Sequence, residues 1–262
     1  MTPAVVARAA VVPLLTEPTL RAEQASQLVL GETAAVLEVS AEWRRVRTDT
    51  DRYAGWVHSG YCAEVDDDGA EAWRSEATGW SHGAAARVGE TRLMLPLRAR
   101  VALEGDAIRL PDGRRGRVVD GSVVPAADAV RAARAKAPER WALEYFAGSP
   151  YQWGGVTPYG VDCSGVVQTT FLARGVVLPR DSAQQAECGA VISLDVSRPG
   201  DLLFFRGDGG PRVTHVAFAG EANTLVHSTI ACGGMVQEPW LPGTRAAPLR
   251  DRLVAVRRLE ER

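Results

Sequence analysis

The periodicity of the chain changes at Ala126, and that change limits the fold more than any other feature of the sequence. Before it, apolar and polar residues alternate in short runs, as strands half buried in a sheet require. Ala35 to Val39, Trp43 to Arg47 and Tyr53 to Val57 are such runs, and Thr48 to Asp51 form a turn between two of them. About five short strands in so brief a stretch predict a small barrel over residues 1–66. The acidic, glycine-containing run Glu64 to Gly69 reads as a linker. A second strand-rich stretch over 77–125 has Arg92 to Leu95, Arg100 to Leu103 and Arg117 to Val119 as strand candidates, with Leu110 to Arg114 as a turn. Helix formers then fill 126–147, until Gly148 and Pro150 stop them. The remainder, to residue 262, mixes helix and strand, so a third domain over 126–262 is expected to open with that helix.

Bulk composition excludes several functions. The 262 residues carry 30 Lys and Arg against 32 Asp and Glu, a net charge of -2, so no basic excess exists to neutralise nucleic-acid phosphates. No segment has the length and apolarity of a membrane span. The first residues lack a basic start, and Arg8 and Pro13 interrupt the apolar run, so no secretory signal is read. The expectation is a cytoplasmic monomer, periplasmic or secreted if a signal has been removed. The four cysteines, Cys62, Cys163, Cys188 and Cys232, are scattered and predict no disulfide framework.

The chemistry concentrates around Cys163. Asp162 is a good N-cap, and Val166, Val167, Thr170 and Phe171 share one face of the helix that would follow, closed by Gly175. Cys163 would be its first residue, where unpaired N–H groups and the helix dipole favour negative charge and a lowered thiol pKa. A thiol nucleophile also needs a base and an orienting group. Two strand-like runs follow, Val213 to Ala219 around His215 and Thr224 to Ser228 around His227, separated by the turn residues Gly220 to Asn223. A hairpin centred on 221 sets His215 directly opposite His227, with Cβ atoms roughly 4.5–5.5 Å apart. His227 would then fix the tautomer of His215 and leave its other nitrogen for Cys163. Zinc is the rival use of such residues, but the paired short spacings of zinc sites are absent.

Several motifs in order resemble the NlpC-type cysteine peptidases, a papain-like bacterial group. They are Pro150 to Gly155, Val161 to Gly165, Leu178 to Ser182, Arg198 to Phe205, Thr214 to Val216 and Val226 to Ser228. The resemblance runs from about Ala142 to Pro239. It implies an α+β papain-like catalytic domain, and the marks Gly31-Glu32, Gly55 to Val57 and Leu110 to Gly113 resemble bacterial SH3-like modules, so two small all-β SH3-like barrels are expected before it. It implies hydrolysis of amide bonds in murein stem peptides by a Cys163, His215 and His227 triad, with no metal or organic cofactor. Tyr151 matches a tyrosine that helps hold the oxyanion, beside the Cys163 N–H. Asp162, Ser164, Arg180, Asp181, Ser182 and Trp153 match positions along the substrate groove. Asp162 could equally be only a cap, Ser182 with Gln185 a capping box, and Tyr151 and Trp153 core aromatics. The whole layout resembles the γ-D-glutamyl-L-diamino-acid endopeptidases, in which the first module binds the free amine of an L-Ala-γ-D-Glu-diamino-acid peptide. Glu23 and Tyr53 are the matching acid and tyrosine. An acyltransferase with the same triad and a wall-binding protein without activity are the alternatives.

Overall fold

The early alternation resolves into seven short strands in the computed structural model, which describes residues 3–259. Met1, Thr2 and residues 260–262, which the expected outer module boundaries include, lie outside the described residues. The strands β1 to β7 cover Pro3–Ala7, Val11–Leu15, Gln24–Val29, Thr33–Ser40, Trp43–Thr48, Ala54–His58 and Cys62–Asp66. They form one sheet in the order β3-β2-β6-β5-β4-β1-β7. Val5, Val12, Leu14, Leu28, Val46 and Val57 meet in its core, together with Cys62.

The run Glu64 to Gly69 is not a linker. It ends β7 and begins helix α1, Asp67–Glu76. Asp66 caps that helix by accepting from the Gly69 N–H at 2.8 Å, and Asp67 and Asp68 lie at the positive end of its dipole. Acidity here serves a helix start, not a solvated spacer. Trp73 of α1 is buried beside Val6 and Ala102, and its indole donates to the Gly31 carbonyl at 2.8 Å.

Strands β8 (Gly79–Val88), β9 (Thr91–Glu104), β10 (Ala107–Arg109) and β11 (Arg115–Pro125) close into a barrel in the order β10-β11-β8-β9. The runs at Arg92 and Arg100, expected as two strands, belong to the single long strand β9. It changes register with β8 near Arg98, whose φ is 71°. That bulge turns the Arg98 guanidinium inward, where it meets the equally buried Glu32 carboxylate at 2.5 Å. Gly31, beside Glu32, could be no other residue: a Cβ there would stand 2.0 Å from the Arg100 carbonyl oxygen.

The chain divides into two units, Met1–Val130 and Arg131–Arg262. The helix expected over 126–147 is two helices, α2 (Ala126–Arg134) and α3 (Pro138–Phe146). Pro138 is the cause. It lacks an N–H and forces Ala137 into an extended conformation, which starts a new helix.

The second unit is a helix packed on a sheet. After the two-residue strands β12 (Val156–Thr157) and β13 (Gly160–Val161) comes helix α4, Cys163–Ala173. Then follow the single turn α5 (Ser182–Gln185), β14 (Ala190–Val191), β15 (Leu202–Arg206), β16 (Val213–Gly220), β17 (Thr224–Thr229), β18 (Gly234–Pro239) and β19 (Leu253–Arg258). The sheet order is β14-β19-β15-β16-β17-β18. The sequence pattern gave α4 one apolar face, yet every residue of it except Leu172 is buried. Phe171 of α4 reaches Phe218 of β16, ring centres 6.1 Å apart. The helix is therefore a central beam, and its first residue is held with the precision of a core position.

Candidate active site

Local chemistry sets the start of α4. Asp162 has extended backbone, and its Oδ1 accepts from the Gly165 N–H at 2.7 Å. Its Oδ2 accepts from the Gly154 N–H at 2.8 Å, which ties the preceding loop to the same carboxylate. Gly165 is the other requirement, because a Cβ there would lie 2.1 Å from the Gly155 carbonyl oxygen. Cap and close approach together place Cys163 at the helix start, as the sequence predicts.

Arg180 completes the support. It is 2% exposed, and its guanidinium meets Asp162 Oδ2 at 2.6 Å and Ser164 Oγ at 2.7 Å. Expected along a groove, Arg180 is instead buried against Asp162 and Ser164, and it also donates to the Gly155 carbonyl at 3.4 Å. Asp181 caps α5 by position but makes no side-chain cap bond, and Ser182 is the first helical residue. The Ser182 to Gln185 capping box is therefore not formed. Gln185 is buried and donates instead to the carbonyls of Ser164 at 3.1 Å and Pro179 at 2.9 Å. Trp153 is 59% exposed, so it is not a core aromatic.

The sulfur of Cys163 rests against β16, where the Val216 N–H points to it. Val216 directly follows His215, so strand and helix bring the thiol beside the histidine's own backbone. Burial, and after it the charge of Asp162, push the Cys163 thiol up to about 12. The Val216 and Ser164 N–H groups and Arg180 oppose this, but burial wins. The helix-start argument for a lowered pKa is thus overturned: α4 begins inside the protein, and loss of water outweighs the dipole. Burial likewise lowers His215 to about 3, with the neighbouring His227 and Arg245 adding to the effect. His227 is lowered to about 3 by burial and then by Arg245. The resting pair is therefore a neutral thiol and a neutral imidazole.

The two histidines do meet: His215 Nε2 lies 2.7 Å from His227 Nδ1. They are not directly opposed, however. The pairs Phe218 with Val226 and Gly220 with Thr224 centre the hairpin on Ala222, one residue beyond the expected 221. Ala222 and Asn223, in the three-residue turn between Gly220 and Thr224, both adopt positive φ, 53° and 55°. Moving the centre by one moves each partner by two, so parity is kept and both rings stay on one face. In this register Ala217 faces His227, and the rings join along a diagonal, which aromatic side chains can span.

Tyr151 hydrogen-bonds through its backbone N–H to the Gly233 carbonyl at 2.8 Å. Burial, then the adjacent Cys163, push its phenol up to about 12, so near neutral pH it keeps a proton to donate. Of the two residues expected in the first unit, Glu23 is exposed just before β3. Tyr53 is half-buried against the core of the first sheet, with its N–H bonded to Thr48 Oγ1 at 2.9 Å.

One polar residue of the row escaped the sequence argument. Glu238 of β18 accepts from, or faces, His227 Nε2 at 2.8 Å through Oε1. Arg245 grips both Glu238 oxygens, with Nε at 2.9 Å from Oε2. A lone Glu in the run Met235 to Trp240 was the available signal. Among the described residues, no group of three His, Cys, Asp or Glu side chains is placed to hold a metal ion. No described helix is long and apolar enough to cross a membrane.

Comparison with known proteins agrees with this architecture. Residues 148–247 match the NlpC/P60 family, and residues 14–60 match the bacterial dipeptidyl-peptidase SH3 domain. Over 85 residues, 32% of the chain, it is 40% identical to a gamma-D-glutamyl-L-lysine dipeptidyl-peptidase of Bacillus subtilis (strain 168), of which the match covers 29%. Over 94 residues, 36% of the chain, it is 40% identical to the probable endopeptidase NlpC of Escherichia coli (strain K12), of which 61% is covered. The chain thus spans less than two thirds of either relative. The crystal structure of an NlpC/P60 family protein from Bacillus cereus superimposes with a TM-score of 0.77 at 20% identity, covering 98% of this chain and 99% of that one. The fold class is the expected one: a papain-like α+β domain that follows, in the chain, a β module matching the bacterial dipeptidyl-peptidase SH3 domain.

Proposed function

We propose, on the premise that this chain carries an NlpC/P60 domain behind a bacterial dipeptidyl-peptidase SH3 domain, that it is a cysteine peptidase of murein stem peptides. The bond cut is the amide between γ-D-glutamate and the following diamino acid, L-lysine or meso-diaminopimelate. The preferred substrate has a free N-terminal L-alanine, as released in cell-wall peptide recycling. The observation that carries this reading is His215 and His227, 2.7 Å apart, with His215 directly before Val216, whose N–H meets the Cys163 sulfur.

The chemistry starts from a neutral pair. As the Cys163 sulfur attacks the scissile carbonyl carbon, its proton passes to His215. Coupling the two events avoids a free buried thiolate, which the surroundings disfavour. The Tyr151 hydroxyl and the Cys163 N–H stabilise the oxyanion. His215 then protonates the leaving amine of the diamino acid as the C–N bond breaks. Water, deprotonated by His215, cleaves the thioester and regenerates the thiol. Asp162 and Ser164 bind substrate where Arg180 holds them, with Asp181, Ser182 and Trp153 further along the groove. Glu23 and Tyr53 select the free amine.

The test is incubation with L-Ala-γ-D-Glu-L-Lys or its meso-diaminopimelate counterpart, following release of L-Ala-D-Glu and free diamino acid. The same peptide N-acetylated, and a Glu23→Gln variant, should each lower kcat/KM. Equal rates on free and acetylated peptide would remove the amine-recognition part. A product coupled to an added amine, in place of hydrolysis, would identify an acyltransferase.

A further inference from the structure

Three strands contribute one side chain each to a continuous polar row. His215 on β16 meets His227 on β17 at 2.7 Å, and His227 meets Glu238 on β18 at 2.8 Å. Each step is diagonal, because the residue facing His227 across β17 and β18 is Val236, two before Glu238. The row ends on Arg245, whose guanidinium donates to both Glu238 oxygens. Glu238 is 8% exposed and His227 1%, so solvent contributes little to the choice of proton positions between them.

That choice can be worked out from the far end. Both Glu238 oxygens accept from Arg245, so the carboxyl group is an acceptor with no hydrogen of its own to give. The 2.8 Å contact therefore requires the hydrogen to sit on His227 Nε2. A neutral imidazole has one N–H, so His227 Nδ1 carries only a lone pair. The 2.7 Å contact then requires the hydrogen of His215 to sit on its Nε2. By the same rule His215 Nδ1 is bare and is the nitrogen able to receive a proton. Without an acceptor at Glu238, nothing at this end of the row requires the hydrogen on His227 Nε2, and the reverse direction also becomes available.

We propose that Glu238, anchored by Arg245, is a positioning residue that sets the direction of the His227–His215 hydrogen-bond row and so makes Nδ1 of His215 the base. It rests on the peptidase reading for its effect on turnover, but not for the proton positions themselves. Glu238 touches neither thiol nor substrate in this scheme. Its action is through His227 alone.

Two measurements on the full chain test it. Long-range nitrogen–proton NMR correlations of the uniformly 15N-labelled protein at neutral pH read the tautomer of each histidine directly. Protonated Nε2 and bare Nδ1 on both His215 and His227 are expected, and a proton on Nδ1 of either would overturn the proposal. The Glu238→Gln variant can donate or accept toward His227, so it should show a mixture of tautomers. Its kcat should fall about 10²-fold with KM changed less than about twofold, since orientation of the base matters only as bonds are broken. An unchanged kcat, or an equal rise in KM, would count against the role. If Glu238→Gln does not fold, the wild-type tautomers still decide. Expected tautomers in a protein that cleaves no stem peptide would remove the peptidase reading and leave this one standing. Reversed tautomers in an active peptidase would do the opposite.

Discussion

Cys62 and Cys163 are both free, both buried, and both pushed up to about 12 with burial as the leading cause. Their surroundings nonetheless differ in kind. Cys62 opens its strand inside an apolar core of Val5, Val12, Leu14 and neighbours, where a sulfur only fills space. Cys163 opens a helix whose cap, Asp162, is paired with a buried arginine, and its sulfur faces the backbone N–H of Val216 beside a linked histidine pair. The resting pKa of a thiol therefore says nothing here about its use. What would separate a packing sulfur from the proposed nucleophile is a nearby acceptor for its proton and donors where negative charge will develop.

The largest expected contrast is in turnover. Cys163→Ala should abolish stem-peptide hydrolysis by about 10⁴-fold or more, whereas Cys62→Ala should leave kcat/KM unchanged and cost only about 1 kcal/mol in urea unfolding. Comparable losses of activity in both variants would erase the distinction. The next effect is on stability. Asp162→Ala leaves Arg180 buried without its counter-charge and removes the cap of α4, which should cost about 3–5 kcal/mol by urea denaturation. A loss below about 1 kcal/mol would mean the helix start is no better fixed than the surroundings of Cys62.

The smallest effect is the pH dependence of stability, which separates the buried histidines from the buried thiols, not one thiol from the other. His215 and His227 are depressed from 6.5 to about 3, so between these values the unfolded chain binds more protons than the folded one. Stability should fall as pH drops from about 6.5 toward 3, and His227→Asn should shallow that fall. Cys62 and Cys163 are raised from 9.0 to about 12, so the folded chain holds protons that the unfolded one loses, and stability should fall as pH rises through that interval. Either cysteine-to-alanine variant should shallow the alkaline limb, and only the histidine variant the acid one. Urea unfolding across the pH range reads both.

Local and diagonal parts of the site were legible to different degrees. The Asp162, Cys163 and Gly165 run could be read because a cap acts within three residues. The pairing of His215 with His227 could be read because both flank one short turn. Their register could not, since it depended on Ala222 and Asn223 both taking positive φ. Acidic residues 64–69 read as a linker because charge alone cannot separate a solvated spacer from a capped helix start. Trp73, docked on Gly31, is what made it a helix.

Sequence alone determined the change from strands to helix at residue 126, the start of α4 at Cys163 and the meeting of the two imidazoles, because periodicity, capping and turns are short-range effects. Tertiary structure alone decided that Arg180 is buried against Asp162, that Glu238 and Arg245 extend the histidine row, and that the thiol rests neutral. Each of these depends on which distant strands and loops exclude water from a group, and burial of charge is a property of the packed whole.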